Sequence, residues 1–400
     1  MNKIRAYSAV VIALLALAGC ADTMTSVKDT TKGWFSRSDE EAERTKPTEL
    51  SEDFAPSINV QELWSERVGK GTDEYYLKLL PAPYKDNIYT ADRNGRVMAL
   101  TATSGAEVWS VQDEDRLISG GPGVGEGKVF VGTSDAEVVA RDAETGKKLW
   151  VAKVSSEVLS APRVAGGLVI VRTGDGNIYA LNAENGMQKW VFDRSIPVLT
   201  LRGTASPVIY EGLILIGFDN GRLVTLDLET GKQVWEAELA QPSGRSDLER
   251  LVDIDGDPVI KDGTAYIGSF QGRIAAISMT DGSLDWTRDM SSYDVLAVDE
   301  KRVYVTDERG VVWALNRFDG SAVWRQKELR YRQTTGPTYF DGYIVVGDFE
   351  GYLHWLSAET GEIVGRERLD KERILTPPID LGGALLGYSS AGSLATFRVD

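Results

Sequence analysis

The 400-residue sequence contains one cysteine, Cys20, and one histidine, His354. A single cysteine excludes a disulfide within the chain and any site built on several cysteines. A single histidine excludes a metal site built on several histidines and limits a Ser-His-Asp triad to one that uses His354. The motifs of a nucleophile elbow, a P-loop and a dinucleotide-binding loop are also missing. We therefore expect no catalytic residue and no cofactor, and we interpret His354 as a packed residue of a β-strand.

Basic residues are in deficit, since 44 Lys and Arg face 60 Asp and Glu and leave a formal net charge of −16. No stretch is rich in Lys or Arg. Such a chain is poorly suited to phosphate backbones, and we expect no nucleic-acid partner. The acidic run Asp253–Asp257 has its glycine at the fourth position and Thr264 at the twelfth, unlike an EF-hand loop, so we expect no metal site there.

A long apolar run is missing too, because the stretch 6–18 is too short to span a bilayer as a stable helix. It follows Lys3 and Arg5 and ends in Leu-Ala-Gly-Cys, which looks like a bacterial lipobox. We predict a signal peptide over residues 1–19, a lipid on Cys20 and a flexible tether over residues 20–57. In enteric-type sorting, an Asp after the lipidated cysteine holds a lipoprotein at the inner membrane. This chain has Ala21 at that position, which favours the periplasmic face of the outer membrane.

A glycine followed four positions later by tryptophan recurs along the chain, with 38 to 51 residues between successive tryptophan positions. Short apolar runs and turn signals such as Asp-Gly and Asn-Gly fill each interval. A period of this length is typical of a β-propeller. We expect the tryptophans to be structural residues that pack between neighbouring blades. They are Trp64, Trp109, Trp150, Trp190, Trp235, Trp286 and Trp324, and the last copy of the repeat has Gly365 instead.

The third strand of the repeat occurs eight times, which predicts eight blades of four antiparallel strands. No fourth strand follows the last copy, whereas the strand around Trp64 has no third strand before it. We therefore predict an all-β, eight-bladed propeller over residues 58–400. Its ring would close by pairing of residues 58–68 with residues 376–399, which removes exposed sheet edges.

Three connections between an outer strand and the next blade are longer than the others. We measure each connection from the tryptophan position to the glycine position before the next third strand. This interval is 31 residues after Trp64 and Trp190, 37 after Trp235, and 24 to 27 elsewhere. Antiparallel strands place all such connections on one face, and long loops on a rigid scaffold often carry function. Arg202 and Asp253 stand five residues before the proline that opens the next inner strand. Lys78 stands at the same distance in its own loop, whose role the sequence leaves open.

The residues around Arg202 and Asp253 suit a site that binds another protein. Leu199 and Leu201 precede the arginine, and Asp255 follows the first aspartate. An apolar pair beside an arginine and paired acids is typical of an interface hot spot. Alternatively, Arg202 pairs with Asp253 or Asp255 and only holds the two loops together. Spacing alone leaves both interpretations open.

The unit Asp/Asn-Gly-x-Leu-x-Ala-Leu followed by Thr-Gly-x-x-x-Trp resembles the PQQ-type propeller repeat over residues 58–400. Together with a lipobox, a short tether and eight blades, it is similar to the propeller lipoproteins of the outer-membrane β-barrel assembly machinery. Arg141 and Gly365 depart from the repeat, at positions that concern blade packing.

The resemblance implies a non-enzymatic scaffold that supports insertion of outer-membrane proteins. In that family a Leu-x-Leu-Arg-Gly run and an Asp-x-Asp before the next blade dock on the POTRA region of BamA. Here the matching residues are Leu199, Leu201, Arg202, Asp253 and Asp255. The resemblance therefore favours the partner-binding interpretation. It also implies membership of the wider assembly complex and, as a weaker hypothesis, presentation of unfolded barrel precursors by edge-strand pairing.

Two other functions compete with this scaffold. Quinoprotein dehydrogenases share the repeat, but those enzymes are longer chains with adjacent cysteines over the cofactor and a set of calcium-binding residues. This chain has no cysteine pair. A lipoprotein that binds a different envelope partner is the third interpretation.

Overall fold

Four short strands follow one another eight times along the chain, because each repeat alternates apolar runs with glycine turns. The computed structural model describes residues 45–72, 75, 77, 79–194, 205–240 and 252–400. These residues form eight four-stranded antiparallel sheets. The predicted all-β, eight-bladed propeller is confirmed, and we number its blades 1 to 8 in chain order. The described part of the chain has no helix with the length and apolarity needed to cross a membrane.

Each blade contains an inner, a second, a third and an outer strand, hydrogen-bonded in that order. The inner strands, given from blade 1 to blade 8, are β2 (Ala82–Tyr84), β6 (Ile118–Gly125), β10 (Arg163–Ala165), β14 (Val208–Tyr210), β18 (Val259–Lys261), β22 (Ala297–Val298), β26 (Thr338–Phe340) and β30 (Ile379–Asp380). The second strands are β3 (Asn87–Ala91), β7 (Lys128–Thr133), β11 (Leu168–Arg172), β15 (Leu213–Gly217), β19 (Thr264–Gly268), β23 (Arg302–Thr306), β27 (Tyr343–Gly347) and β31 (Leu385–Tyr388). The third strands are β4 (Arg96–Thr101), β8 (Glu137–Asp142), β12 (Ile178–Asn182), β16 (Arg222–Asp227), β20 (Arg273–Ser278), β24 (Val312–Asn316), β28 (Tyr352–Ser357) and β32 (Ser393–Val399). The outer strands are β5 (Glu107–Gln112), β9 (Lys148–Lys153), β13 (Gln188–Phe192), β17 (Gln233–Glu238), β21 (Leu284–Asp289), β25 (Ala322–Gln326), β29 (Ile363–Arg368) and β1 (Val60–Arg67).

The core lies between the blades. Second and third strands are buried along most of their length, so both of their faces pack against neighbouring sheets. This is why they read as continuous apolar runs, as in β11 and β15, without the alternation of a strand that faces water on one side. The outer strands alternate exposed and buried residues, since they form the rim of the ring.

Each tryptophan of the repeat lies at the seam between its own blade and the next. The indole Nε1 of Trp235 donates a hydrogen bond to the Met279 carbonyl oxygen of the next blade, at 3.1 Å. Its ring lies against Gly282, where a Cβ atom would come within 2.6 Å. The same pair of contacts recurs at the other six seams that have a tryptophan. The glycine of each motif therefore packs against the indole ring of the preceding tryptophan.

Gly365 replaces tryptophan in blade 7, and the structure gives a physical reason. The next blade has no turn between its third and outer strands, because these strands come from the two ends of the chain. Ile58 and Val60 occupy the space instead, and a Cβ atom on Gly365 would come within 2.9 Å of the Ile58 side chain. The main-chain nitrogen of Ser57 also donates to the Val364 carbonyl oxygen, at 2.8 Å.

The ring closes in blade 8, where β1 pairs antiparallel with β32 from Val60 opposite Val399 to Arg67 opposite Ser393. This confirms the predicted pairing of the two ends. The compact unit that includes the propeller spans Pro47–Asp400. Arg366 donates to the Ser51 carbonyl oxygen, so the segment before β1 is in contact with blade 7. The domain boundary at residue 57 stays a prediction.

The strand order also fixes which loops share a face. Connections from an outer strand to the next inner strand lie on the same face as the turns between second and third strands, because neighbouring strands are antiparallel. We call this the loop face. The described ends of two long connections lie on it: those of residues 193–207, which we call the first long loop, and those of residues 239–258, the second long loop.

Candidate partner-binding site

The two long loops belong to neighbouring blade junctions, and the structure describes their ends. The first joins blade 3 to blade 4, and the second joins blade 4 to blade 5. Leu199, Leu201 and Arg202 lie outside the described residues, as do Lys78 and Cys20. In the described part of the chain, the candidate site consists of the ends of the loops and the strands beneath them.

The first long loop begins at a fixed arginine. Arg194 makes a bidentate contact with Glu236 of β17, with Nη1–Oε2 and Nη2–Oε1 distances of 3.2 and 3.1 Å. Its guanidinium carbon also lies 4.9 Å from the centre of the Phe218 ring. The hydrogen bonds from Arg194, together with those from Arg222, hold the pKa of Glu236 below its usual range despite partial burial. The loop thus begins at a rigid ion pair on blade 4.

The same loop ends beside a buried arginine of blade 3. Arg172 is the last residue of β11, and its Nη1 donates to the carbonyl oxygens of Gly217 at 2.7 Å and Ala205 at 3.4 Å. Its Nη2 donates to Oδ1 of Asp219 at 2.6 Å, and both side chains are almost fully buried. The ring of Phe218 lies 5.3 Å from the guanidinium carbon. Arg172 therefore connects blade 3, the turn after β15 and the end of the first long loop.

Asp253 of the second long loop lies beneath the loop face. Its side chain is buried, with 1% of the residue exposed, and its carbonyl oxygen accepts the Phe270 amide at 2.7 Å. Among the residues that the structure describes, neither carboxyl oxygen has a hydrogen-bond donor. Burial, and then the neighbouring carboxylates of Asp255 and Asp219, raise the pKa of Asp253 to about 9, against the opposing effect of Arg172. The carboxyl group is therefore protonated at neutral pH.

Asp257 fastens the end of the second long loop to two preceding blades. Its Oδ1 accepts the Ser206 amide at 2.5 Å, and its Oδ2 lies 3.0 Å from Nη2 of Arg163. Ile254 packs against Gly217, where no side chain would fit. Blades 3, 4 and 5 thus share one set of contacts at the base of both long loops.

The base of these loops borders the central channel. A cavity of about 560 Å³ opens there, and the inner strands or adjoining loops of all eight blades line it. Asp255 and Asp257 are among its lining residues. A partner that covers the two loops would therefore also face the mouth of the channel.

His354 lies in blade 7 and is not part of this site, which involves blades 3 to 5. It lies fully buried on β28 of blade 7, with Nε2 2.9 Å from Oδ2 of Asp348, which also contacts Arg332. Burial lowers the pKa of His354, although Asp348 opposes this shift. Among the described residues, no group of three or more His, Cys, Asp or Glu side chains is arranged to hold a metal ion.

Sequence reasoning missed the residues that support the loops, above all Arg172 and Asp219. One signal was available for Arg172. The last residue of the second strand is uncharged in all other blades, as in Thr133, Gly217 and Gly268, and only blade 3 has an arginine there. A charge at a core position of a repeat indicates either a buried ion pair or a functional site.

Fold and repeat together define an eight-bladed propeller of PQQ-type repeats. The family model described as outer membrane protein assembly factor BamB matches residues 93–326 and 314–400. An outer membrane protein assembly factor BamB from Xanthomonas campestris pv. campestris is 39% identical over 100% of this chain and 99% of its own length. The chain belongs to the BamB family.

Solved structures agree with this assignment. The crystal structure of BamB from Moraxella catarrhalis superposes with a TM-score of 0.78 at 29% identity and covers 85% of this chain and 100% of that one. A quinohemoprotein alcohol dehydrogenase from Comamonas testosteroni reaches a TM-score of 0.67 at 15% identity, over 87% of this chain and 78% of the dehydrogenase. At that identity the likeness extends to the fold alone.

Proposed function

We propose that the protein is a non-enzymatic scaffold of outer-membrane β-barrel assembly that docks through its loop face on the POTRA region of BamA. Membership of the BamB family supports the general role, since the relatives are named outer membrane protein assembly factors. The observation that supports this face is the concentration of ion pairs and buried polar contacts at the base of the two long loops. A pre-ordered base lowers the entropy that the loops lose on binding.

We further propose that a lipid on Cys20 holds the protein at the periplasmic face of the outer membrane. The lipobox at residues 17–20 supports this anchor. Replacing Cys20 with serine should move the protein from the membrane fraction to the soluble periplasmic fraction, as measured by fractionation of cells. A variant that stays with the outer membrane would contradict the lipid anchor and leave the docking proposal untouched.

A role in presenting unfolded barrel precursors would use a different surface. The outer strands present apolar side chains to solvent, for instance Leu149 and Val151 on β9 and Val234 on β17. An edge strand with free main-chain groups can pair with an extended segment. A peptide that copies a barrel strand should then cross-link to β9 and fail to do so when Leu149 and Val151 are both replaced with lysine.

Binding of the soluble chain, residues 21–400, to the POTRA domains of BamA tests docking most simply. Isothermal titration calorimetry should show that Arg202→Glu lowers the affinity at least about tenfold, as expected for an interface hot spot. Lys147→Glu is the matched control, since this exposed lysine lies in a turn of the opposite face. Equal affinities for both variants would contradict docking through the first long loop.

Reduction of an electron-accepting dye by the protein, with added pyrroloquinoline quinone and calcium, would contradict the non-enzymatic role.

A further inference from the structure

Asp253 has the burial of a supporting residue, although its loop is the candidate docking loop. Only 1% of the residue is exposed, and both carboxyl oxygens lie beneath the surface. A side chain in this position has almost no area to offer a partner. Its effect on docking must pass through its neighbours.

Those neighbours form a chain of contacts between the two long loops. Among the described residues, the charged and titratable groups that face Asp253 are Asp255 on its own loop, Asp219 after β15, and Arg172 at the end of β11. Arg172 holds Asp219 by an ion pair and donates to the Ala205 carbonyl oxygen at the end of the first long loop. Asp219 and Arg172 therefore lie between Asp253, at the end of the second long loop, and Ala205, at the end of the first.

The chemistry of this cluster requires a proton. The Asp219 carboxylate is near enough to raise the pKa of Asp253, and among the described residues no donor reaches the Asp253 carboxyl oxygens. Two ionised carboxylates side by side in a buried site repel each other strongly, whereas one shared proton makes an O–H···O⁻ hydrogen bond. Asp219 already accepts from Arg172, which favours placing the proton on Asp253.

We propose that Asp253 is a positioning residue whose protonated carboxyl group donates a hydrogen bond to Asp219 and so fixes the second long loop against the first through Arg172 and Ala205. The partner-binding readout of this inference rests on the proposed function. The structural readout does not, because it needs no partner.

The first experiment measures hydrogen exchange of the free protein, residues 21–400, in peptides that cover residues 205–210 and 252–258. Asparagine keeps a donor for Asp219, so Asp253→Asn should exchange no faster than the wild type, whereas Asp253→Ala should exchange faster at both ends. Asp193→Ala is the control, since Asp193 is exposed at the start of the first long loop. Unchanged exchange in Asp253→Ala would overturn the inference whether or not BamA binds.

The second experiment measures affinity for the POTRA domains by calorimetry. Asp253→Asn should stay within about twofold of the wild type, and Asp253→Ala should lose at least about tenfold, because a buried acceptor is left without its donor. Wild-type affinity should also fall as the pH rises through about 9, with no such fall in Asp253→Asn. If Asp253→Asn binds as weakly as Asp253→Ala, the charge itself contacts the partner and the inference is wrong. If Asp253→Ala does not fold, the comparison of wild type with Asp253→Asn across pH still decides.

Discussion

Two features require glycine at the first position of each Gly-x-x-x-Trp motif: a positive φ and close contact with an indole ring. Two glycines of the chain allow these features to be tested separately. Gly282 has a φ of +76° and lies against Trp235, whereas Gly263 has a φ of +75° and no neighbour within 4 Å of a Cβ atom. Alanine at either position should cost about 1–2 kcal/mol for the left-handed backbone. Gly282→Ala should cost about 1–3 kcal/mol more, since its methyl group overlaps the indole ring. Urea unfolding followed by tryptophan fluorescence measures both, and equal losses would mean that the seam can relax.

Asp253 should make the stability of the protein depend on pH. Its pKa is raised to about 9 in the folded state, so between the ordinary aspartate value near 4 and about 9 the folded state binds a proton that the unfolded state has lost. The free energy of unfolding therefore falls as the pH rises through this window. Asp253→Asn should be more stable at pH 8, with an advantage that grows by up to about 1.4 kcal/mol per pH unit and levels off above 9. Urea unfolding at pH 5 and pH 8 checks this, and an advantage that does not grow would contradict the protonated state.

At the scale of the element, the segment before β1 substitutes for a tryptophan. Ile58 packs against Gly365 at the seam between blades 7 and 8, whereas Leu63 points to solvent on the same edge of the ring. Ile58→Ala should lower the free energy of unfolding by about 1–3 kcal/mol, in the lower part of the range for buried isoleucine because Ile58 is only partly buried. Leu63→Ala should change it by less than about 0.5 kcal/mol. Similar losses in thermal or urea unfolding would mean that Ile58 does not hold this seam.

Ring closure by β1 should be needed for a soluble monomer. Without β1, the strand β32 becomes an unpaired edge next to the buried side chains of blade 8. A chain that begins at residue 69 should therefore aggregate or associate through β32, whereas one that begins at residue 47 should stay monomeric. Size-exclusion chromatography with light scattering distinguishes these outcomes. A stable monomer that lacks β1 would show that the ring does not depend on its closure.

The repeat makes the fold predictable, but it does not reveal contacts that join distant parts of the chain. Eight third strands and the missing fourth strand after β32 predict the blade number and the closure, because each blade repeats one local pattern. The pairing of Ile58 with Gly365 could not be predicted, since nothing in either local sequence points to the other. Loop length locates the candidate site. It does not show that Asp253 turns inward, because burial depends on which strands lie beneath the loop.

At the scale of the whole molecule, the propeller separates two tasks. Tryptophan seams and ring closure make a rigid disc, and the contacts at the base of the two long loops bring buried charges of blades 3 to 5 together beside the central channel. Buried polar groups usually lower stability unless they are fully paired, so the buried charges at the described ends of the two loops favour a binding role for this face. A scaffold that docks through this face needs no catalytic group, which agrees with the proposed function.

Site-specific photo-crosslinking in cells tests the central claim most directly. A photoreactive amino acid is placed at position 199 or 202 in the first long loop, and at position 147 on the opposite face as the control. Docking through the loop face predicts a cross-link to BamA from positions 199 and 202 and none from position 147. Cross-links to BamA from position 147 alone would contradict the proposed face. If no position gives a cross-link to BamA while the protein is present in the outer membrane, docking on BamA itself is contradicted.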